Sequence, residues 1–306
     1  MTDSRNSLHG LWLPLITPFR DGALDQASLR RLVGHYASMP IEGLILGATS
    51  GEGLALSSAE LATLVTVARE ALAAAGRSLP IGLGLAGAAT RPMIAALEAT
   101  AAWPIDFYLI SSPFYVRPSQ QGLLAHFTAL ADHAQHPVVL YNIPYRSSVG
   151  LDNQTLLRLA AHPNIAGLKD CCANRGQTRE LLQLRPDGFR VLTGEDGHAF
   201  DALQAGADGA ILLSAHFETT TFAAILPQLK AGHHAAAAAL WDRVSDLTRL
   251  LFSEPSPAPA KYWLARTGLI ASPEVRLPMV EVGAELAARL DREILRRTPG
   301  DRQAVG

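Results

Sequence analysis

Eight short runs rich in Val, Ile, Leu and Gly recur along the chain with helix-like stretches between them. This rhythm constrains the fold more than any other feature. The runs are "LWLPLITP" (11–18), "GLILGAT" (43–49), "PIGLGLA" (80–86), "FYLISSP" (107–113), "VVLYNIP" (138–144), "IAGLKD" (165–170), "RVLTGE" (190–195) and "GAILLSA" (209–215). They are nearly continuous in apolar character rather than alternating, the pattern of parallel strands covered on both faces. Between them lie stretches such as residues 57–76, where Ser57 or Ser58 can cap, Glu60 favours the first turn and Gly76 ends the helix. Residues 119–134 and 153–162 read the same way. Eight strands, each followed by a helix, predict an α/β fold of the (β/α)8 TIM-barrel type rather than an open sheet. Three further helical segments follow strand eight, at about 219–230, 233–251 and 257–296, the last broken near "ASPEVRLP". The expected organisation is a catalytic barrel over 1–230 and a C-terminal helical extension over 231–306.

With 306 residues and 48% hydrophobic content the chain can bury a large core. A net charge of −2 gives no electrostatic reason to expect nucleic acid or a membrane surface as partner. The start, "MTDSRNSLHG", carries no apolar signal core, and no apolar run reaches about 18 residues. The expected location is therefore cytoplasmic. The two cysteines, Cys171 and Cys172, are adjacent, which suits neither a disulfide nor a zinc site, and they read as small apolar fillers. No metal-binding pattern is present.

In such a barrel, function sits at the C-terminal ends of the strands. Those ends carry Thr17, Thr49 with Ser50, Ser112, Tyr141 with Asn142, Lys169 with Asp170, Glu195 with Asp196, and Ser214. Lysine is scarce: only Lys169, Lys230 and Lys261 occur among the 26 basic residues, and Lys169 is the one at a strand end. A free lysine amine has a pKa of about 10.4, but burial disfavours the ammonium and can bring the value toward roughly 7–8. A neutral amine attacks a ketone to form a Schiff base, an electron sink for C–C chemistry, which arginine cannot do. The alternative is a strand-capping lysine with a salt bridge to Asp170 or another acid. Tyr141 ends the neighbouring strand and is either a core aromatic or a proton shuttle for that amine. Arg146, on the following loop, is either a solvated side chain or a planar clamp for a carboxylate. "GATSGEG" (47–53) offers backbone N–H groups, the Thr49 and Ser50 hydroxyls and a helix N-terminus to an anion, without being a phosphate-binding loop of the Gly-Lys-Ser/Thr kind. "GLGLAG" matches the dinucleotide pattern at Gly82, Gly84 and Gly87, with Asp106 downstream. Its glycines fall inside a strand, however, and Pro92 interrupts the region after it.

Together "GATSGEG", "SSPFYVRPSQQGLLAHF", "YNIPYRSS", "GLKD", "LTGEDG" and "EPSPAPAKYWL" resemble, in order and across roughly residues 8–280, the dihydrodipicolinate synthase / N-acetylneuraminate lyase family of pyruvate-dependent class I aldolases. The resemblance implies that Lys169 is the Schiff-base lysine and Tyr141 the proton shuttle, with Thr49 between Tyr141 and Tyr115. It implies that Tyr115 reaches into the site of a neighbouring subunit, hence a homo-oligomer, dimer or tetramer. It implies that Thr49 and Ser50 hold the pyruvate carboxylate, and that Gly194 and Ile211 lie around the amine. It implies no cofactor and no metal, the covalent lysine–pyruvate Schiff base taking their place.

The motifs are more similar to the synthase branch, and Arg146 then matches the arginine that binds the carboxylate of L-aspartate 4-semialdehyde. The implied reaction condenses pyruvate with that aldehyde to 4-hydroxy-tetrahydrodipicolinate, a step of lysine and diaminopimelate biosynthesis. Tyr145 and Ser148 depart from the small residues usual there. They keep open a paralogue acting on another 2-keto acid: N-acetylneuraminate, 4-hydroxy-2-oxoglutarate or a 2-keto-3-deoxy sugar acid. A non-catalytic binding protein is the third reading, against which stands the full set Thr49, Tyr115, Tyr141 and Lys169. Leu61, Ala88, Arg91 and Phe114 stand where lysine-inhibited synthases carry polar groups, so no feedback inhibition by lysine is expected.

Overall fold

The computed structural model describes residues 8–297; the ends of the expected barrel and extension, 1–7 and 298–306, lie outside the described residues. The described residues open with β1 (Gly10–Pro14) and a small antiparallel hairpin of β2 (Phe19–Arg20) and β3 (Ala23–Leu24). β4 (Gly43–Leu46), β5 (Ile81–Leu85), β6 (Phe107–Ser111), β7 (Val138–Asn142), β8 (Ile165–Asp170), β9 (Arg190–Thr193) and β10 (Gly209–Ile211) complete the strands. Each barrel strand pairs in parallel with its neighbours, and β1 pairs with both β4 and β10, so the sheet closes on itself. The covering helices are α1 (Gln26–Ala37), α2 (Ser58–Ala74), α3 (Thr90–Thr100), α4 (Gln120–His133), α6 (Asn153–Ala160), α7 (Arg175–Leu184), α8 (Ala199–Gln204) and α9 (Thr219–Lys230). One short turn of helix, α5 (Pro144–Ser147), sits in the loop after β7. This is the expected (β/α)8 barrel, and α10 (His234–Leu251), α11 (Ala258–Arg266) and α12 (Ala284–Arg297) extend it. Of the three segments expected beyond the last strand, the first is thus α9, which packs on β1 and α8 as the eighth helix of the ring.

Helix boundaries obey local chemistry. Ser57 caps α2 and forms a reciprocal capping box with Glu60, while Gly76 leaves the helix with φ +66°. Pro92 does not interrupt: it lies in the first turn of α3, where a missing N–H costs little. Several strands are shorter than their apolar runs. The run 43–49 stops at Leu46 because Gly47 takes φ +66°, and 209–215 stops at Ile211 before a 3-10 turn over Ser214–His216.

The barrel's own core has two layers. Leu13, Leu44, Ile110 and Leu140 face the helices, whereas Trp12, Ile45, Phe107, Val139 and Leu192 fill the barrel. Glycines make room for the large rings inside. A Cβ on Gly43 would lie 2.1 Å from Trp12, and one on Gly82 would lie 2.5 Å from Phe107. Trp12 and Phe107 then meet edge-on with centroids 5.4 Å apart. Gly84 and Gly87 likewise back onto Ala48 and Met93. The dinucleotide-like spacing is therefore a packing pattern.

One irregularity sets the direction of the site. Between β7 and β8 the register shifts: Val138 pairs with Ile165, but Val139 pairs with Gly167. The extra residue is a β-bulge, and Gly167 is close enough to β9 that a Cβ would stand 2.4 Å from the Arg190 carbonyl oxygen. Gly167→Ala is expected to cost about 1–3 kcal/mol, read as a lowered midpoint in thermal or urea unfolding, because backbone rather than a side-chain tip must give way.

Candidate active site

Because of that bulge, Tyr141 pairs with Lys169 rather than with Leu168. Side chains alternate along a strand, so a one-residue shift exchanges the two faces. Ala166 lies in the inner cluster and Leu168 in the outer one, and Lys169 and Tyr141 both turn inward. The Lys169 Nζ lies 4.2 Å from the Tyr141 ring centroid. Gly194 makes the space, since a Cβ there would be 2.3 Å from Lys169 Cε.

Lys169 is 4% exposed, and loss of hydration pushes its pKa below the ordinary lysine value; the negative charges of Asp196 and Glu195 oppose this and Arg146 adds to it. Among the described residues Lys261 is the lysine that forms an ion pair within 4.0 Å, and Lys169 forms none. The strand-cap alternative, an ion pair with Asp170 or another acid, is therefore not seen, and Asp170 itself faces the other way. Asp170 accepts hydrogen bonds from Thr178 Oγ1 at 2.6 Å, Cys172 N at 3.1 Å and Asn142 Nδ2 at 3.3 Å. A desolvated amine without a counter-ion has the properties of a nucleophile.

Tyr141 is buried, which holds its phenol protonated, while the nearby Thr49 side chain acts weakly in the opposite direction. Thr49 and Ser50 occupy a 3-10 turn, Thr49–Gly51, rather than the end of β4. Thr17 Oγ1 ties that turn to the loop after β1 by donating to the Gly51 carbonyl at 2.7 Å. Ile211 belongs to the same inner cluster as Tyr141. Arg146 lies on α5 with its guanidinium 5.7 Å from the Tyr145 ring centroid. Tyr115 is not brought in by its own chain. It is 88% exposed, has φ +71°, and among the described residues no hydrogen bond joins it to Thr49.

Asp196 is an addition to the expected set. It is 4% exposed, accepts from Ser214 N at 2.7 Å, and burial raises its pKa to about 6. "LTGEDG" puts two acids at that strand end, but nothing in the letters says which one is buried. Cys171 is buried beside Lys169 and its thiol is pushed up, so it stays neutral and fills space as expected; both cysteines are free. Among the described residues no three His, Cys, Asp or Glu side chains gather as a metal site, and no helix is long and apolar enough to cross a membrane.

A parallel (β/α)8 barrel with a desolvated lysine and a buried tyrosine at its mouth defines a class of barrels equipped for amine chemistry on carbonyl compounds. The chain belongs to the dihydrodipicolinate synthetase family, which it matches over residues 7–296. It is 38% identical over 287 residues to 4-hydroxy-tetrahydrodipicolinate synthase 2 of Clostridium acetobutylicum, covering 93% of this chain and 99% of that one. It is also 38% identical to the 4-hydroxy-tetrahydrodipicolinate synthase of Limosilactobacillus fermentum, over 93% of this chain and 90% of the relative. The chloride-inhibited dihydrodipicolinate synthase of Acinetobacter baumannii, solved with pyruvate, superposes with TM-score 0.89 at 29% identity, covering 94% of this chain and 98% of that one.

Asp196 acts on the amine through its negative charge. Its charge favours the ammonium, so Asp196→Asn lowers the Lys169 pKa further. The rise of amine reactivity with pH, followed by borohydride trapping of a keto acid, is expected to move to lower pH.

Proposed function

We propose that this protein is a Schiff-base-forming lyase that condenses pyruvate with L-aspartate 4-semialdehyde to 4-hydroxy-tetrahydrodipicolinate. The observation that carries the reading is the unpaired, desolvated Lys169 amine packed 4.2 Å from the ring centroid of a buried Tyr141. The neutral amine attacks C2 of pyruvate to give a carbinolamine. Water leaves as Tyr141 passes a proton to the departing hydroxyl, with Thr49 holding the phenol in place. The imine then acidifies the methyl group, whose proton is lost to give an enamine, and the enamine carbon bonds to the aldehyde carbon. The semialdehyde's own amine attacks C2, closes the ring and releases Lys169. On this reading the covalent adduct is the electron sink, and no metal or organic cofactor is called for.

Thr49 and Ser50 would hold the pyruvate carboxylate, and Gly194 and Ile211 would shape the wall around the amine. Arg146 would clamp the second carboxylate; its exposure and its position over the Tyr145 ring suit a group that meets an incoming substrate. A second copy of the chain would bring Tyr115 to Thr49, which fits a tyrosine held out at 88% exposure beside the exposed Val116. Catalysis is assigned to the barrel, 1–230, and support to the extension, 231–306. A biosynthetic reaction on small soluble acids belongs in the cytoplasm. Tyr145, 61% exposed against Arg146, favours keeping one second reading: the same Schiff base serving another 2-keto acid.

Incubation with pyruvate and borohydride is expected to add one reduced pyruvate to Lys169 by mass spectrometry, and none in Lys169→Ala. Absence of the adduct on folded protein would overturn the reading. With aspartate semialdehyde as partner, Tyr141→Phe is expected to lower kcat by about 10²–10⁴. Turnover of other 2-keto acids but not of this pair would select the second reading. Millimolar L-lysine is expected to leave the rate unchanged, because Leu61, Ala88, Arg91 and Phe114 give an amino-acid effector little to bond.

A further inference from the structure

The chain buries a second lysine that the mechanism does not use. Lys261 on α11 is 0% exposed, and its ammonium is paired with the Glu52 carboxylate, itself 7% exposed. Nζ also donates to the Glu274 carbonyl at 2.8 Å and lies 4.1 Å from the Phe19 ring centroid. Taking two charges out of water costs several kcal/mol per ion, and apolar replacement of such a pair is often neutral or stabilising. Stability therefore does not account for it.

The position of Glu52 does. It joins the Thr49–Gly51 turn to a second 3-10 turn, Gly53–Ala55, in the left-handed conformation at φ +50°, rare for a residue with a side chain. The turn has no slack. A Cβ on Gly51 would lie 2.9 Å from the Leu15 carbonyl oxygen, and one on Gly53 would lie 1.7 Å from that of Gly47. The other Glu52 oxygen accepts from Arg276 N at 2.9 Å, and the Arg276 guanidinium donates to the Ala55 carbonyl at 2.8 Å and pairs with Glu60 at the start of α2. Residues more than 200 positions away in sequence thus grip the far side of the turn that carries Thr49 and Ser50.

We infer that Lys261 and Glu52, with Arg276, are positioning residues that hold the Thr49–Ser50 turn in register for the keto-acid carboxylate, so that the C-terminal extension sets the barrel's affinity for its first substrate. This rests on the reading that Thr49 and Ser50 bind that carboxylate. Removing one charge leaves the other buried and unpaired, so Lys261→Met alone can unfold the protein. The double variant Glu52→Gln/Lys261→Met removes both charges and keeps the volume.

The test is borohydride trapping on Lys169 across a range of pyruvate concentrations, with thermal midpoints measured in parallel. Glu52→Gln and the double variant are expected to raise half-saturating pyruvate about tenfold while trapping fully at saturation. The double variant is also expected to regain midpoint lost in Lys261→Met yet keep the raised half-saturation, a split that a purely structural pair would not give. A folded double variant within about twofold of wild type would overturn the inference. Ser50→Ala, with a raised half-saturation of its own, makes that failure specific to the ion pair. An untrapped wild type, or an unmoved Ser50→Ala, would instead overturn the underlying reading, and this inference with it.

Discussion

A single inserted residue in the β7–β8 ladder governs the chemistry of this barrel. Without the bulge between Ile165 and Gly167, continued pairing from Val138 would set Leu168 opposite Tyr141 and turn Lys169 toward the helices. With it, the amine enters the inner layer, loses its water, and meets the tyrosine ring. Gly167 permits the bulge against β9, and Gly194 leaves the volume that the lysine stem then fills. Closure of the sheet makes the effect large. Inside a closed barrel there is no route by which a displaced side chain can regain solvent except at the mouth, so direction, burial and acidity are fixed together.

The two buried lysines show how differently one side chain is used when its surroundings differ. Lys261 keeps a counter-ion and a carbonyl partner, and burial brings its pKa to about 8. Lys169 has lost its water without gaining a carboxylate partner. The nearest outward candidate, Asp170, is held by Thr178, Asn142 and Cys172. An amine becomes reactive when the protein withholds the interactions that favour its charge. The extension beyond α9 also reaches the barrel's loops: α11 brings Lys261 to Glu52, and the segment after it brings Arg276 N to the same carboxylate.

Much of this is legible in the letters. Apolar runs covered on both faces and spaced by helical stretches specify a parallel barrel, because each run has to bury two faces and each crossover requires a helix. The capping box at Ser57 and Glu60 is local chemistry, visible in the residue types and their spacing. So is a lysine at a strand end. Less is legible where the run of apolar letters continues past the hydrogen-bonded ladder, as at Gly47 and beyond Ile211, since hydropathy does not report φ. The glycines of "GLGLAG" carry two meanings at equal spacing. Only the rings of Phe107 and the chain at Ala48 tell which applies.

By itself the sequence determined the element order, the parallel barrel and the residue types gathered at its mouth. These depend on periodicity and on chemistry that each residue carries alone. The tertiary structure decided which way Lys169 points, which of Glu195 and Asp196 is buried, and that Glu52 and Lys261, 209 residues apart, share a charge pair. A strand apolar on both faces gives no parity signal, so a one-residue bulge leaves no trace in its hydropathy. Burial and ion pairing are properties of neighbours that come together only once the barrel has closed.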